Sequence, residues 1–141
     1  MERLEQLIET FEFLPGWEER YAAIISLGRK LEPFPETDRT DANKVRGCVS
    51  QVWLTCTWDS STPPRRAVLR ADSDAHIVKG LVAVLLLLYH QKTAEEILAI
   101  DAEDCFQRLG FDTHLSPQRS NGLYAMVSVI RQQAQRAQVG A

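Results

Sequence analysis

The chain has 141 residues, 45% hydrophobic and 25% charged, with a net charge of −3 and a pI near 5.6. Those averages fit one globular domain over residues 1–141, long enough to bury about two thirds of the surface it exposes when unfolded. The acidic balance provides no positive field to gather phosphate backbones, which argues against nucleic acid as a partner. The charge is uneven, −5 over residues 1–43 and +2 over residues 44–141.

Leu4, Leu7, Ile8, Phe11 and Leu14 recur at spacings of three and four, which predicts an opening helix that stops at Pro15-Gly16. Trp17, Tyr21, Ile24, Ile25 and Gly28 continue that period in a second helix ending near Leu31. Residues 32–43 carry two prolines and no period, the pattern of an irregular connection. From Ser50 the period becomes two: Val52, Leu54, Cys56 and Trp58 oppose Trp53, Thr55 and Thr57. A turn cluster, Asp59 to Pro64, separates this strand from a second at Ala67–Ala71, so the two form a β-hairpin. Asp72-Ser73-Asp74 offers an N-cap to a helix reaching Tyr89, and Thr93-Ala94-Glu95-Glu96 is a capping box before another. Asp101 caps a short helix to Leu109, with Gly110 as its stop, and Ser116-Pro117 opens the last helix. The tail from Gln132 is expected to fray. Helices outnumber strands, and the fold class is α+β, a small antiparallel sheet packed against several helices.

The apolar run Leu81–Tyr89 is too short to cross a bilayer and reads as a core helix, so no membrane partner is expected. Met1 to Glu5 places acids where a secretory leader needs a positive start, which points to the cytoplasm. Three cysteines, with seven and forty-eight residues between them, make no disulfide framework. No Cys-x-x-Cys or His-x-x-x-His spacing suggests a metal, and no glycine-rich phosphate loop or Gly-x-Ser-x-Gly turn is present. Cys56 on its strand face and Cys105 beside Phe106 read as small core hydrophobes. Cys48 differs: it follows Gly47 at the end of a polar connection, with Lys44 and Arg46 close enough in sequence to favour a thiolate. On these residues alone an activated loop-tip thiol and the start of a buried strand are equally open.

Three separated blocks bear on that choice. Gly47-Cys48-Val49-Ser50-Gln51-Val52-Trp53-Leu54, then Asp72 to Leu81, then His114 to Leu123 resemble in order and spacing the SufE family of sulfur-acceptor proteins. Trp17-Glu18-Glu19-Arg20-Tyr21 and Leu27-Gly28 resemble its N-terminal helix, so the likeness covers nearly the whole chain. The resemblance implies a fold shared by SufE and the IscU scaffold. It also implies that Cys48 accepts persulfide sulfur from a cysteine desulfurase of SufS type, whose PLP belongs to that partner. The carrier needs no cofactor or metal of its own, stimulates the desulfurase without being a turnover enzyme itself, and passes sulfur to an iron-sulfur scaffold of SufBCD type. Arg46, Gly47, Ser50, Asp74 and Arg119 are the supporting residues, with helix capping by Asp74 and a plain surface role for Arg119 as the alternatives. A desulfurase-activating module that carries no sulfur and a carrier of the CsdE branch serving another acceptor are the competing functions. One exposed thiol suffices for such transfer, because a persulfide moves by thiolate attack on its outer sulfur, and a resolving cysteine would discharge it. A loop that tucks the sulfur against Val49, Val52 or Trp53 would shelter it.

Overall fold

The computed structural model describes residues 4–139; Met1–Arg3, within the start read against a secretory leader, and the last two residues of the tail lie outside them. The described residues form seven α-helices and one two-stranded antiparallel sheet, the α+β arrangement expected from the sequence. Helix α1 (Leu4–Phe13) buries Leu7, Ile8 and Phe11, and Gly16 breaks the chain before α2 (Trp17–Arg29). Two 3-10 turns, Glu36–Asp38 and Asp41–Asn43, lie within the irregular connection. Strands β1 (Val52–Asp59) and β2 (Arg66–Ser73) pair in a register that sets Leu54 opposite Ala71 and Cys56 opposite Leu69. Because side chains alternate across a strand, Val52 and Leu54 on β1 and Ala67, Leu69 and Ala71 on β2 share one buried face.

That face lies over α3 (His76–Tyr89), whose residues Gly80 to Leu85 are all buried. Helices α2 and α3 meet through two glycines, for a Cβ on Gly80 would stand 2.3 Å from the carbonyl oxygen of Ile24, and one on Gly28 2.7 Å from the nitrogen of Gly80. Only bare backbone allows this approach, which is how two helix-interior glycines are compensated. The short helices α4 (Ala94–Ala99) and α5 (Ala102–Arg108) start where expected, with the Thr93–Glu96 capping box and the Asp101 side-chain cap both formed. Gly110, at φ +79°, turns the chain into a one-turn helix α6 (Phe111–His114) that the sequence reading lacked. Stacking of His114 on Trp17, ring centroids 4.1 Å apart, and the Tyr21 hydroxyl bonded to the His114 carbonyl fix the entry to α7 (Pro117–Val139).

Three expectations are corrected. The Asp72-Ser73-Asp74 segment does not cap α3: β2 runs on through Ser73, the residue before α3 is Ala75, and no side chain caps it. Strand pairing continues because Asp74 faces Gln51 and bonds to it instead. The tail does not fray over its described length, since α7 is continuous to Val139 with Ala134 fully buried and the Arg65 side chain bonded to the Ala137 carbonyl. Cys56 is half-buried, while Cys105 is buried as expected.

Candidate functional site

The segment Arg46–Gln51 is a loop closed at its base like a hairpin. Val45, itself buried, donates its N–H to the Val52 carbonyl at 2.9 Å, and Lys44 bridges to Trp53. Gly47 makes the turn at φ +91°, a left-handed conformation that side chains resist, and a Cβ there would also press on Ala125 at 3.3 Å. On the far side the Gln51 N–H donates to the Asp74 carboxylate at 3.0 Å, and the Asp74 N–H returns a bond to the Gln51 carbonyl at 3.2 Å. Asp74 is thus a clamp on the loop that carries Cys48.

Cys48 sits half-buried at the loop's crest with its Sγ 3.6 Å from the Gly122 carbonyl oxygen of α7, to which the thiol donates. A Cβ on Gly122 would lie 3.3 Å from that sulfur, so the glycine leaves the space that the thiol fills. Beside the sulfur opens a cavity of about 380 Å³. Its apolar wall comes from Val49, Ile77, Val78, Leu81 and Met126, and Ser50, Gln118 and Arg119 form the polar side. The first turn of α7 belongs to this wall, capped by the Ser116 hydroxyl, which accepts the Arg119 N–H at 3.2 Å.

In the free chain, burial pushes the Cys48 thiol above its ordinary value of 9.0. The cation help read from Lys44 and Arg46 is not what sets it: Arg46 is exposed and the shift comes from desolvation. The expected shelter is also built differently. Val49 does line the cavity, but Val52 is fully buried beneath the sheet, and the Arg39 guanidinium lies 5.0 Å from the centroid of the Trp53 ring, so α3 and α7 supply the wall instead. Of the expected residues, Gly47, Ser50, Asp74 and Arg119 gather round Cys48, while Arg46 points to no partner among the described residues.

Sequence reasoning missed a buried ionic brace behind the loop. Asp72 accepts from Arg39 and lies 3.3 Å from Lys79, while Arg39 is also 5.4 Å from the Phe34 centroid. Burial opposes ionisation of Asp72, but its bonds to Arg39 and to the Ser73 N–H, with Lys79 beside it, hold the carboxyl below the usual range. Arg39 lies in the aperiodic connection, where no pattern marks it. Among the described residues no group of three or more His, Cys, Asp or Glu side chains is arranged to hold a metal ion, and no helix is long and apolar enough to cross a membrane.

The family model for SufE, the Fe-S metabolism associated domain, matches residues 5–134. An uncharacterized SufE-like protein of Rhizobium meliloti is 47% identical over 137 residues, 96% of either chain, and one of Rhizobium etli is 48% identical over 136, covering 95% of this chain and 90% of the other. A solution structure of a hypothetical protein from Thermus thermophilus superposes with a TM-score of 0.76 over 96% of either chain at 20% identity, which bears on the fold alone. Matched along nearly its whole length, with Cys48 at the mouth of a cavity, the chain belongs to the SufE family, which is associated with sulfur transfer in iron-sulfur metabolism.

Proposed function

We propose that this protein is a sulfur carrier that takes persulfide sulfur onto Cys48 from a PLP-dependent cysteine desulfurase of SufS type, stimulates its turnover by clearing it, and hands the sulfur to a SufBCD-type scaffold in the cytoplasm. The observation that carries the reading is the placement of Cys48 itself, a single thiol on a clamped loop against a cavity with room for one more sulfur atom. The Cys48 thiolate attacks the outer sulfur of the desulfurase persulfide. A new S–S bond forms on Cys48, the donor's S–S bond breaks, and the donor cysteine leaves as a thiolate that takes up the proton Cys48 gave away. No external oxidant or reductant is consumed. The protein is the vehicle for this exchange and keeps no cofactor of its own.

The raised thiol of the free chain fits a carrier that stays quiet until it meets its donor. Thiolate is the attacking species, so a half-buried neutral thiol reacts slowly with stray electrophiles. Docking that draws the loop out of the cavity would restore water or a partner's cation to the sulfur. Arg119 and the start of α7 line the side on which the transferred sulfur would rest, and Asp74 and Gly47 hold the loop that presents it.

The test is desulfurase turnover with cysteine as substrate, adding wild-type protein or Cys48→Ser, with intact mass of the carrier as second readout. Wild type is expected to stimulate and to gain the mass of one sulfur atom, and the variant to do neither. Stimulation that survives in the variant would replace this reading with that of an activating module. Sulfur gained by wild type but refused by a SufBCD-type complex would move the acceptor to that of the CsdE branch.

A further inference from the structure

A second concavity, of about 460 Å³, opens at the opposite end of α3 from Cys48. Its walls are apolar: Leu31 beyond α2, Val68 and Leu69 of β2, and Ala83, Leu86 and Leu87 of α3. One side of it is the outer edge of β2. In an antiparallel pair, alternate residues direct both main-chain groups at the neighbour strand and the others direct both away. Val45 bonds to the Val52 carbonyl from outside the ladder, so Val52 points away from β2; by the register, Ser73, Ala71, Leu69 and Ala67 point away from β1.

The upper part of that edge is closed. The Ala67 N–H donates to the Lys92 carbonyl at 2.8 Å, the Ala67 carbonyl accepts from Gln91 at 2.7 Å, and the Leu69 N–H donates to Nδ1 of His90 at 3.1 Å. Below it, the Leu69 carbonyl and both main-chain groups of Ala71 have no protein partner among the described residues, although Ala71 is only 3% exposed and lines the groove. Buried main-chain groups are nearly always paired, so this stretch is an acceptor–donor–acceptor row waiting for a complementary one. An extended peptide supplies that pattern at strand spacing and alternates side chains that enter an apolar groove. The rim carries Lys30, which has no ion-pair partner among the described residues, and Arg70, 3.4 Å from Glu32. One positive charge is left over, which favours acidic flanks on the occupant.

We propose that this groove binds an extended segment of a protein partner, apolar with acidic flanks, by adding a strand to β2 at Leu69–Ala71. The two openings share α3 but no lining residue: Ile77, Val78 and Leu81 face the Cys48 cavity, and Ala83, Leu86 and Leu87 face the groove. A partner seated there leaves the Cys48 loop free, so one molecule holds two proteins at once. The proposal does not depend on which sulfur chemistry Cys48 performs.

The probe is a fluorescein-labelled peptide of alternating valine and glutamate, compared with its valine–lysine counterpart by anisotropy on the full chain, with amide NMR to place the contact. The glutamate peptide is expected to bind saturably and to slow exchange of the Ala71 amide, with the lysine peptide about fivefold weaker or worse. Lys30→Glu should weaken the glutamate peptide by a similar factor, and Leu87→Lys should abolish binding while alkylation of Cys48 keeps its wild-type rate. Equal binding of both peptides, amide shifts confined to Cys48–Gln51, absence of saturable binding, or peptide-independent dimerisation through the β2 edge would each overturn it.

Discussion

In the proposed carrier, Cys48 is held between two demands: it must reach another protein's sulfur, and it must not react with everything else. Its half-burial against Gly122 answers the second, because desolvation keeps the thiol neutral above its ordinary 9.0. Iodoacetamide consumes thiolate, so the alkylation rate of the free protein should reach half its maximum above pH 9.0. In Gly122→Ala the added Cβ would sit 3.3 Å from Sγ, and the loop, which ends in solvent, yields before α7 does. The sulfur moves outward, the midpoint falls toward 9.0 and the rate at neutral pH rises about threefold. A slower rate would mean that the helix yields and the thiol sinks deeper. Gly47-Cys48 was half legible in the chain: a glycine at the end of a polar connection signals a turn, but it left a loop-tip thiol and a strand start equally open until the three SufE-like blocks bore on the choice. The lid over it was not, since nothing local ties Gly122 to a thiol 74 residues earlier.

At the scale of elements, periodicity placed the helices well and failed where a strand and a cap compete for the same residues. Asp72-Ser73-Asp74 has the composition of an N-cap, yet Asp72 pairs with Trp53 across the hairpin and Asp74 with Gln51, so tertiary pairing takes the segment. The tail misled for a related reason: glutamine and alanine carry little apolar signal, but Ala134 is buried and Arg131 reaches the Leu98 carbonyl at 3.1 Å. The glycines where α2 meets α3 are a further case, explained only by contact. Gly80→Ala would drive a methyl to 2.3 Å from a main-chain oxygen, and the backbone cannot rotate aside as a side chain can. The helices must separate, at a cost of about 3 kcal/mol. Urea unfolding should register that loss as a lower midpoint with unchanged slope, and an unaltered midpoint would show that α2 and α3 slide freely.

For the molecule as a whole, α+β character was legible from the periodicity and the family from the three blocks, whereas the joining of distant segments by the Arg39–Asp72–Lys79 brace was not, because ion pairs leave no period. Asp72 and other groups shielded by the fold set the limits of stability with pH. On the acid side, burial lowers the pKa of His90 below 6.5, and its Nδ1 must stay unprotonated to accept the Leu69 N–H. The unfolded chain therefore binds its proton first, so stability falls as pH drops below 6.5. Asp72, held below 3.8 in the folded chain, adds a second loss as pH passes down through its folded value. On the alkaline side the signs reverse: burial raises all three thiols, Cys56 to about 11, and Tyr89 to about 12. Their contribution is fully present below the unfolded value of 9.0 for the thiols and is lost as the unfolded chain ionises ahead of the folded one. Thermal unfolding followed by circular dichroism should thus show a plateau near neutrality, with the Tm dropping by several degrees between pH 9.0 and about 11. Cys56→Ala removes the largest thiol shift and should flatten the alkaline limb while leaving the acid limb unchanged. An alkaline limb that keeps its slope in that variant would assign the loss to Tyr89, the deepest phenol in the core, rather than to the strand thiol.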